Sequence, residues 1–539
     1  MTGVSLEWPT RDLLSHRAST SPDARAVVAV EGRDSDPRTE WTYAEFDRCV
    51  DRVVSELEGA IAQSSGSGSF EPENRLGVLM DTRVAFAAVY FAAMRRGVAV
   101  VPLNVRETVA ELESKVSRTE PDAIVCESAT ESLALEVADC SVVSVDESER
   151  EAVPSIRSAL EAERGADAAS RASGRGDGKV TPVPLERDRT HLIMFTSGTS
   201  GEPKGVCLTV GNLVASATAS AFRLGVDPAD RWLCCLPMYH MGGLAPVVRS
   251  VLYGTTVVIQ REFSPDTTAR VIDEYGITGV SLVPTMCKRL LEDDWGPSDS
   301  LRFVLLGGAP ATDDLLERCR EAGVPVHPTY GMTETASQIA TATPEETAEY
   351  EGTVGRPLVT TDVSIVDDEG TPVTAGEAGE LVVSGPTVTP GYLESAHTEG
   401  AFSERGLHTG DVGYRDDGGR LWVLNRRSDR IVTGGENVDP GEVVDALRAH
   451  PSVDDAAVVG VEDEVWGERV SALVVPAAGT DEFDVHAVLD HCVDRLAGFK
   501  RPKTVAVVES LPRTPSGTID RTAVRKRLLA DGIDVTDRS

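Results

Sequence analysis

A chain of 539 residues exceeds what one hydrophobic core ordinarily serves, so at least two domains are expected. Its 41% hydrophobic content is ample for globular cores, while 87 acidic against 52 basic residues leave a formal charge of -35 that would repel nucleic acid and anionic membranes. Only seven lysines are present, and so acidic a surface is of the kind carried by proteins of a high-salt cytoplasm; it says nothing about the reaction. Nine cysteines lie scattered without a paired framework, and Cys234-Cys235 are too close for a Cys-x-x-Cys zinc site, which fits a reduced, cytoplasmic protein. Residues 1–20 lack the apolar core of a signal peptide, and no run of about 18 apolar residues suggests a membrane span. Composition leaves a homo-oligomer open.

Helical and strand patterns alternate from the start. Thr42 and Glu45 have the spacing of a capping box, residues 76–80 read as a strand, 84–96 as an alanine-rich buried helix and 98–104 as the next strand, so the region is α/β. Residues 64–69, rich in Gly and Ser, and 161–179, without apolar period, read as surface insertions. Residues 192–195 then form a buried strand, followed by Thr196-Ser197-Gly198-Thr199-Ser200-Gly201-Glu202-Pro203-Lys204-Gly205. Glycines let backbone N–H groups turn inward, hydroxyls add donors and Lys204 adds a cation, a composition suited to phosphate. The pattern departs from the Gly-x-x-x-x-Gly-Lys-Ser/Thr loop, and most Ser/Gly-rich stretches are only surface loops.

Further on, Leu236-Pro237-Met238-Tyr239-His240-Met241-Gly242-Gly243 sets a histidine beside an aromatic; alone, it fits a satisfied core residue. Residues 303–310 and 325–335 each read as a strand delivering a loop. In the second, Tyr330 can stack on a purine, Gly331 permits close approach, Thr333 can bond a phosphate, and Glu334 is a hard oxygen ligand suited to Mg²⁺. Without that context Thr333-Glu334 would be a helix start, and Thr409-Gly410-Asp411 a turn.

Taken together, the ten-residue loop, Tyr330-Gly331-Met332-Thr333-Glu334, Thr409-Gly410-Asp411, and Arg427-Ser428-Asp429-Arg430 followed by Gly434-Gly435 resemble the signatures of the adenylate-forming superfamily, which includes acyl-CoA synthetases, luciferases and carrier-protein adenylation domains. The resemblance implies an α/β fold with a large N-terminal domain, 1–428, of α/β-layered subdomains plus a small β-barrel, and a small mobile α+β domain, 429–539. It also implies ATP, Mg²⁺ and CoA. Thr196, Ser197, Gly198, Thr199, Ser200, Gly201 and Lys204 would hold the nucleotide phosphates, with Tyr330, Gly331 and Thr333 at the adenosine and α-phosphate. Glu334 would hold the metal, so that Lys204, Thr333 and Glu334 form the reacting centre. Asp411 would accept the ribose hydroxyls and Arg427 would contact the nucleotide. Asp429 would be the hinge on which the small domain turns between two half-reactions, and Gly434 and Gly435 would line the pantetheine path. His240 would then be pocket wall rather than proton carrier.

Within residues 236–391 the chain resembles one branch more closely, the 2-succinylbenzoate:CoA ligases of menaquinone biosynthesis, through residues 241–258, 305–310 and 330–339. That branch carries a basic residue at the position of Arg249, which could hold the carboxylate that is not activated. Gly307, Gly308, Ala309, Ser337 and Gln338 would line the same acyl pocket. An Arg with apolar neighbours is equally an ordinary solvent-facing helix residue. A medium-chain or aromatic acyl-CoA ligase would not need Arg249, and a non-catalytic nucleotide-binding relative is a further alternative. The chain departs from the superfamily at Thr518, where an adenylation lysine belongs; Arg513, Arg521 and Lys500 are candidates to supply the charge, and otherwise the first half-reaction would be slow or absent.

Overall fold

The computed structural model describes residues 11–30, 39–65, 70–71, 73–161, 180–196, 203–293, 295–426, 431–433, 436–438, 440–463, 466–478, 483–493, 495–514 and 518–535. The chain divides into two compact units, Met1–Asp362 with Ser384–Leu407, and Val363–Val383 with His408–Ser539.

The first unit holds two α/β sheets. The nine-stranded sheet is parallel through Arg25–Val30, Thr256–Gln260, Arg231–Cys234, Gly279–Leu282, Phe303–Leu306 and Val326–Met332, with antiparallel strands at both edges. The seven-stranded sheet is parallel through Thr190–Phe195, Ala99–Pro102, Arg75–Leu79, Ala123–Cys126 and Ser141–Ser144, and one edge is extended antiparallel by Gly205–Thr209 and Gly391–Tyr392. Strands buried on both faces need continuous apolar runs, which is what these segments supply. One core joins the helices Tyr43–Ser65, Val84–Arg96 and Met241–Tyr253 to strands of both sheets.

The helix Val84–Arg96 is buried from Ala85 to Arg95, which its small side chains allow, and ends on Gly97 at φ 71°. Arg95 can be buried there because Asp12, Asp47 and Asp51 all pair with its guanidinium. The capping box at Thr42 and Glu45 is formed, with Thr42 N–H donating to Glu45 Oε2 at 2.7 Å. That helix runs through Ser65, two residues into the stretch read as an insertion; 66–69 and 162–179 lie outside the described residues.

Strand Thr190–Phe195 carries a histidine in the core. His191 is 2% exposed, and its Nδ1 donates to Val98 O at 3.0 Å. Nε2 has no partner, and burial pushes the imidazole from 6.5 down to about 4. The unfolded chain therefore takes up this proton first. The stabilisation from keeping His191 neutral is complete above about pH 6.5 and is lost as the pH falls toward about 4. Urea unfolding should show a loss on the order of 3 kcal/mol between pH 7 and 4 from this residue, and the decline should flatten in His191→Phe.

Strands Asp362–Val366, Gly379–Ser384, Gly406–Arg415 and Leu421–Arg426 belong to a five-stranded sheet. The C-terminal part is α+β, as expected. Val453–Asp463 and Gly467–Pro476 pair antiparallel along their whole length. Alternate side chains separate cleanly: Val458, Ala472 and Val474 pack under the helices Pro440–Arg448 and Val485–Val493, while Val459, Leu473 and Val475 pack under Arg521–Asp531. Among the described residues no helix is long and apolar enough to cross a membrane.

Candidate active site

The phosphate-type loop connects two antiparallel strands, Thr190–Phe195 and Gly205–Thr209, and is closed at its base by Thr196 N–H donating to Lys204 O at 3.1 Å. Ser197, Gly198, Thr199, Ser200 and Gly201 lie outside the described residues. The strand that leaves the loop pairs next with Gly391–Tyr392, and Leu393 N–H donates to Gly205 O at 2.7 Å. This return of the chain places Tyr392 in the site, with its ring centroid 5.2 Å from Lys204 Nζ and its hydroxyl donating to Glu334 Oε1 at 3.0 Å. Glu334 is 6% exposed and sits in the turn Thr333–Thr335 that follows strand Val326–Met332. Its carbonyl accepts from Thr389 N–H at 2.7 Å. Lys204 and Glu334, paired by chemistry alone in the sequence, thus meet on one tyrosine.

The backbone around Glu334 is strained. Ala336 has φ 52° and Ser337 φ 122°, both unusual for residues with side chains, and such strain gathers where a site demands a fixed geometry. Gly331 is needed for the same hairpin: a Cβ there would lie 1.7 Å from Ser337 O, so the close approach it permits is by the neighbouring strand. A Gly331→Ala chain should lose at least about 3 kcal/mol of stability, read as a lowered thermal midpoint. Gly308, at φ 82°, turns the loop after strand Phe303–Leu306, and a Cβ on Gly307 would meet the Thr329 methyl at 2.6 Å. Ala309, Tyr330 and Thr333 are half-buried beside these turns.

His240 caps the helix Met241–Tyr253, and burial, then the charges of Lys115 and Arg106, push it down to about 4. It is neutral near pH 7. Arg249, nine residues on, is 2% exposed, which overturns the solvent-facing alternative. The helix lies between layers and has no solvent face at that position. Its guanidinium stacks 5.3 Å from the Trp232 ring, Nη2 has no hydrogen-bond partner, and among the described residues no carboxylate pairs with it. Burial pushes its pKa below the usual arginine value. Gln338 is also buried; its Nε2 donates to Thr341 Oγ1 at 2.7 Å while Oε1 lacks a donor. Its strand, Ser337–Thr341, packs against the helix of Arg249.

In the second unit Asp411 is 5% exposed and accepts from Arg426 Nε at 3.0 Å. Arg427, Asp429, Gly434 and Gly435 lie outside the described residues. Thr518 Oγ1 is 2.7 Å from Thr514 Oγ1. Two of the three candidate replacement cations are held by carboxylates, Arg513 by Asp455 at 2.8 Å and Lys500 by Glu442 at 2.6 Å. Sequence reasoning missed Tyr392, Arg426 and Trp232, each of which contacts a residue predicted for the site.

Among the described residues no group of three or more His, Cys, Asp and Glu could hold a metal alone. A single buried carboxylate, Glu334, fits Mg²⁺ of the kind bound by one carboxylate together with substrate phosphates.

Residues 14–393 match the AMP-binding enzyme family, and residues 442–518 its C-terminal domain. The chain belongs to the AMP-binding enzyme family. Within it, the chain is 37% identical over 509 residues to the 2-succinylbenzoate–CoA ligase of Bacillus licheniformis, covering 94% of this chain and 98% of that one. It is also similar to the solved o-succinylbenzoate CoA synthetase of Bacillus subtilis in complex with its acyl-adenylate intermediate, at TM-score 0.81, 32% identity and 96% and 98% coverage. The same Bacillus subtilis synthetase in complex with ATP and magnesium ion aligns at TM-score 0.80, 32% identity and 96% and 99% coverage. As an AMP-binding enzyme the chain has the α/β fold with a separate C-terminal domain that its motifs implied.

Proposed function

We propose that the chain is an AMP-forming acid:CoA ligase that converts 2-succinylbenzoate to 2-succinylbenzoyl-CoA for menaquinone biosynthesis. The observation that carries the substrate is Arg249. A cation buried without an anion is costly, and a dicarboxylate supplies the missing anion while its other carboxylate reacts. A fatty acid or benzoate would leave the guanidinium unpaired. Trp232 holds it by its π face, which leaves the planar edge for the ligand. His240, Gly307, Gly308, Ala309, Ser337 and Gln338 wall the acyl pocket.

In the first step a carboxylate oxygen attacks the α-phosphorus of ATP, the bond to the bridging oxygen breaks, and pyrophosphate leaves. Thr196 to Lys204 carries the departing negative charge and Thr333 bonds the α-phosphate. Mg²⁺ bound at Glu334 neutralises phosphate charge. In the second step the CoA thiol loses its proton and attacks the acyl carbon, and AMP leaves. No covalent enzyme intermediate is needed; the protein supplies position and charge. From their motifs, Asp411 and Arg427 are assigned to the nucleotide, Gly434 and Gly435 to pantetheine, and Asp429 to the boundary between domains 1–428 and 429–539. The acidic composition fits a cytoplasmic enzyme working at high salt.

The test is thioester formation from 2-succinylbenzoate, ATP, Mg²⁺ and CoA at high potassium chloride, beside benzoate and octanoate. Selective turnover of 2-succinylbenzoate, lost in Arg249→Ala, supports the reading. Turnover of octanoate instead would make the chain a medium-chain ligase, and no pyrophosphate release with any acid would point to a non-catalytic nucleotide-binding relative.

A further inference from the structure

We infer that Tyr392 is a positioning residue of the adenylation centre, orienting the Glu334 carboxylate with its hydroxyl and the Lys204 ammonium with its ring. The inference rests on the roles proposed above for Glu334 and Lys204.

The segment carrying Tyr392 is fixed to both parts of the site. Its backbone pairs with Val206 in the strand that leaves the phosphate-type loop, and its N–H donates to Thr398 Oγ1 at 2.9 Å. Three residues earlier, Thr389 N–H donates to the carbonyl of Glu334 itself. Glu334 is thus gripped twice by one short stretch, at its backbone by Thr389 and at Oε1 by the Tyr392 hydroxyl. A carboxylate that is to meet a hard cation in one direction must not rotate, and an O–H donor on one oxygen fixes that rotation without adding charge. The opposite requirement holds for Lys204. Its long side chain must be restrained without being neutralised, since it serves a phosphate. A ring face 5.2 Å from Nζ attracts the ammonium by its quadrupole and leaves the full positive charge in place. A carboxylate partner would have spent it.

A tyrosine that only fills space makes a different prediction. Tyr392→Phe keeps the ring and removes the hydroxyl; Tyr392→Leu removes both. Mn²⁺ serves as the probe, titrated by electron paramagnetic resonance into the full chain with a non-hydrolysable ATP analogue. Tyr392→Phe is expected to weaken Mn²⁺ about 10- to 100-fold while analogue affinity without metal is unchanged. In a Glu334→Gln background the same substitution should have no further effect. Tyr392→Leu should in addition weaken pyrophosphate binding relative to Tyr392→Phe. Natural Mn²⁺ affinity in Tyr392→Phe, or an equal loss in the Glu334→Gln background, overturns the hydroxyl's role. Equal pyrophosphate affinity in the Phe and Leu variants overturns the ring's. No acid is present, so an error in the proposed substrate would show in turnover and not in this titration.

Discussion

An Arg249→Met chain is expected to unfold at a higher urea concentration than the natural one while losing at least about 100-fold in kcat/KM for 2-succinylbenzoate. Both effects have one cause. Removing a guanidinium from water costs several kcal/mol, and in the unliganded protein neither a carboxylate among the described residues nor a partner for Nη2 offsets it. Methionine fills comparable space against Trp232 without that cost, so a gain of about 1–3 kcal/mol should follow. The ligand's second carboxylate would then enter a pocket with nothing to pair it, and discrimination against octanoate should narrow by a similar factor. Reduced stability with unchanged kcat/KM would make Arg249 a packing residue stacked on Trp232, and the diacid reading would fall with it.

Thr518→Lys is expected to raise the rate of acyl-adenylate formation, measured by pyrophosphate exchange, by about 10- to 100-fold, and to leave thioester formation from supplied adenylate unchanged. A fixed cation near the charge that develops on phosphate transfer is worth on the order of two powers of ten. Threonine cannot provide it, and here its hydroxyl is occupied with Thr514. Arg513 and Lys500 are each drawn to a carboxylate, which weakens the case that either stands in. No change in exchange rate would show that the chain has another source of charge, and Arg521 would be the next residue to replace.

What the sequence made legible follows from the range of each interaction. The strand before the phosphate-type loop, the helix at 84–96 and the Thr42–Glu45 cap rest on patterns a few residues long, and each is present. Arg249 was visible as a residue but not as a buried one. On a helix packed between layers every side faces protein, so a lone charge marks no exposed face. Gly331 read as room for a ligand, yet the space is taken by the strand that returns at Ser337. Tyr392 lies 58 residues from Glu334, and nothing local to Gly391-Tyr392 announces that distant partner.

The return of residues 384–407 to the first unit also sets a timetable for synthesis on the ribosome. Strand Gly205–Thr209 emerges long before the strand that covers its outer edge, since Thr389, which bonds Cys207, follows it by 182 residues. At ordinary elongation rates that interval lasts roughly 10–40 s. Throughout it the nascent chain carries an open sheet edge beside an unfinished nucleotide site. The last piece of the first unit to arrive is thus the one that both seals the edge and brings the tyrosine to Glu334, so a chain stalled before residue 384 would be sticky and inactive at once.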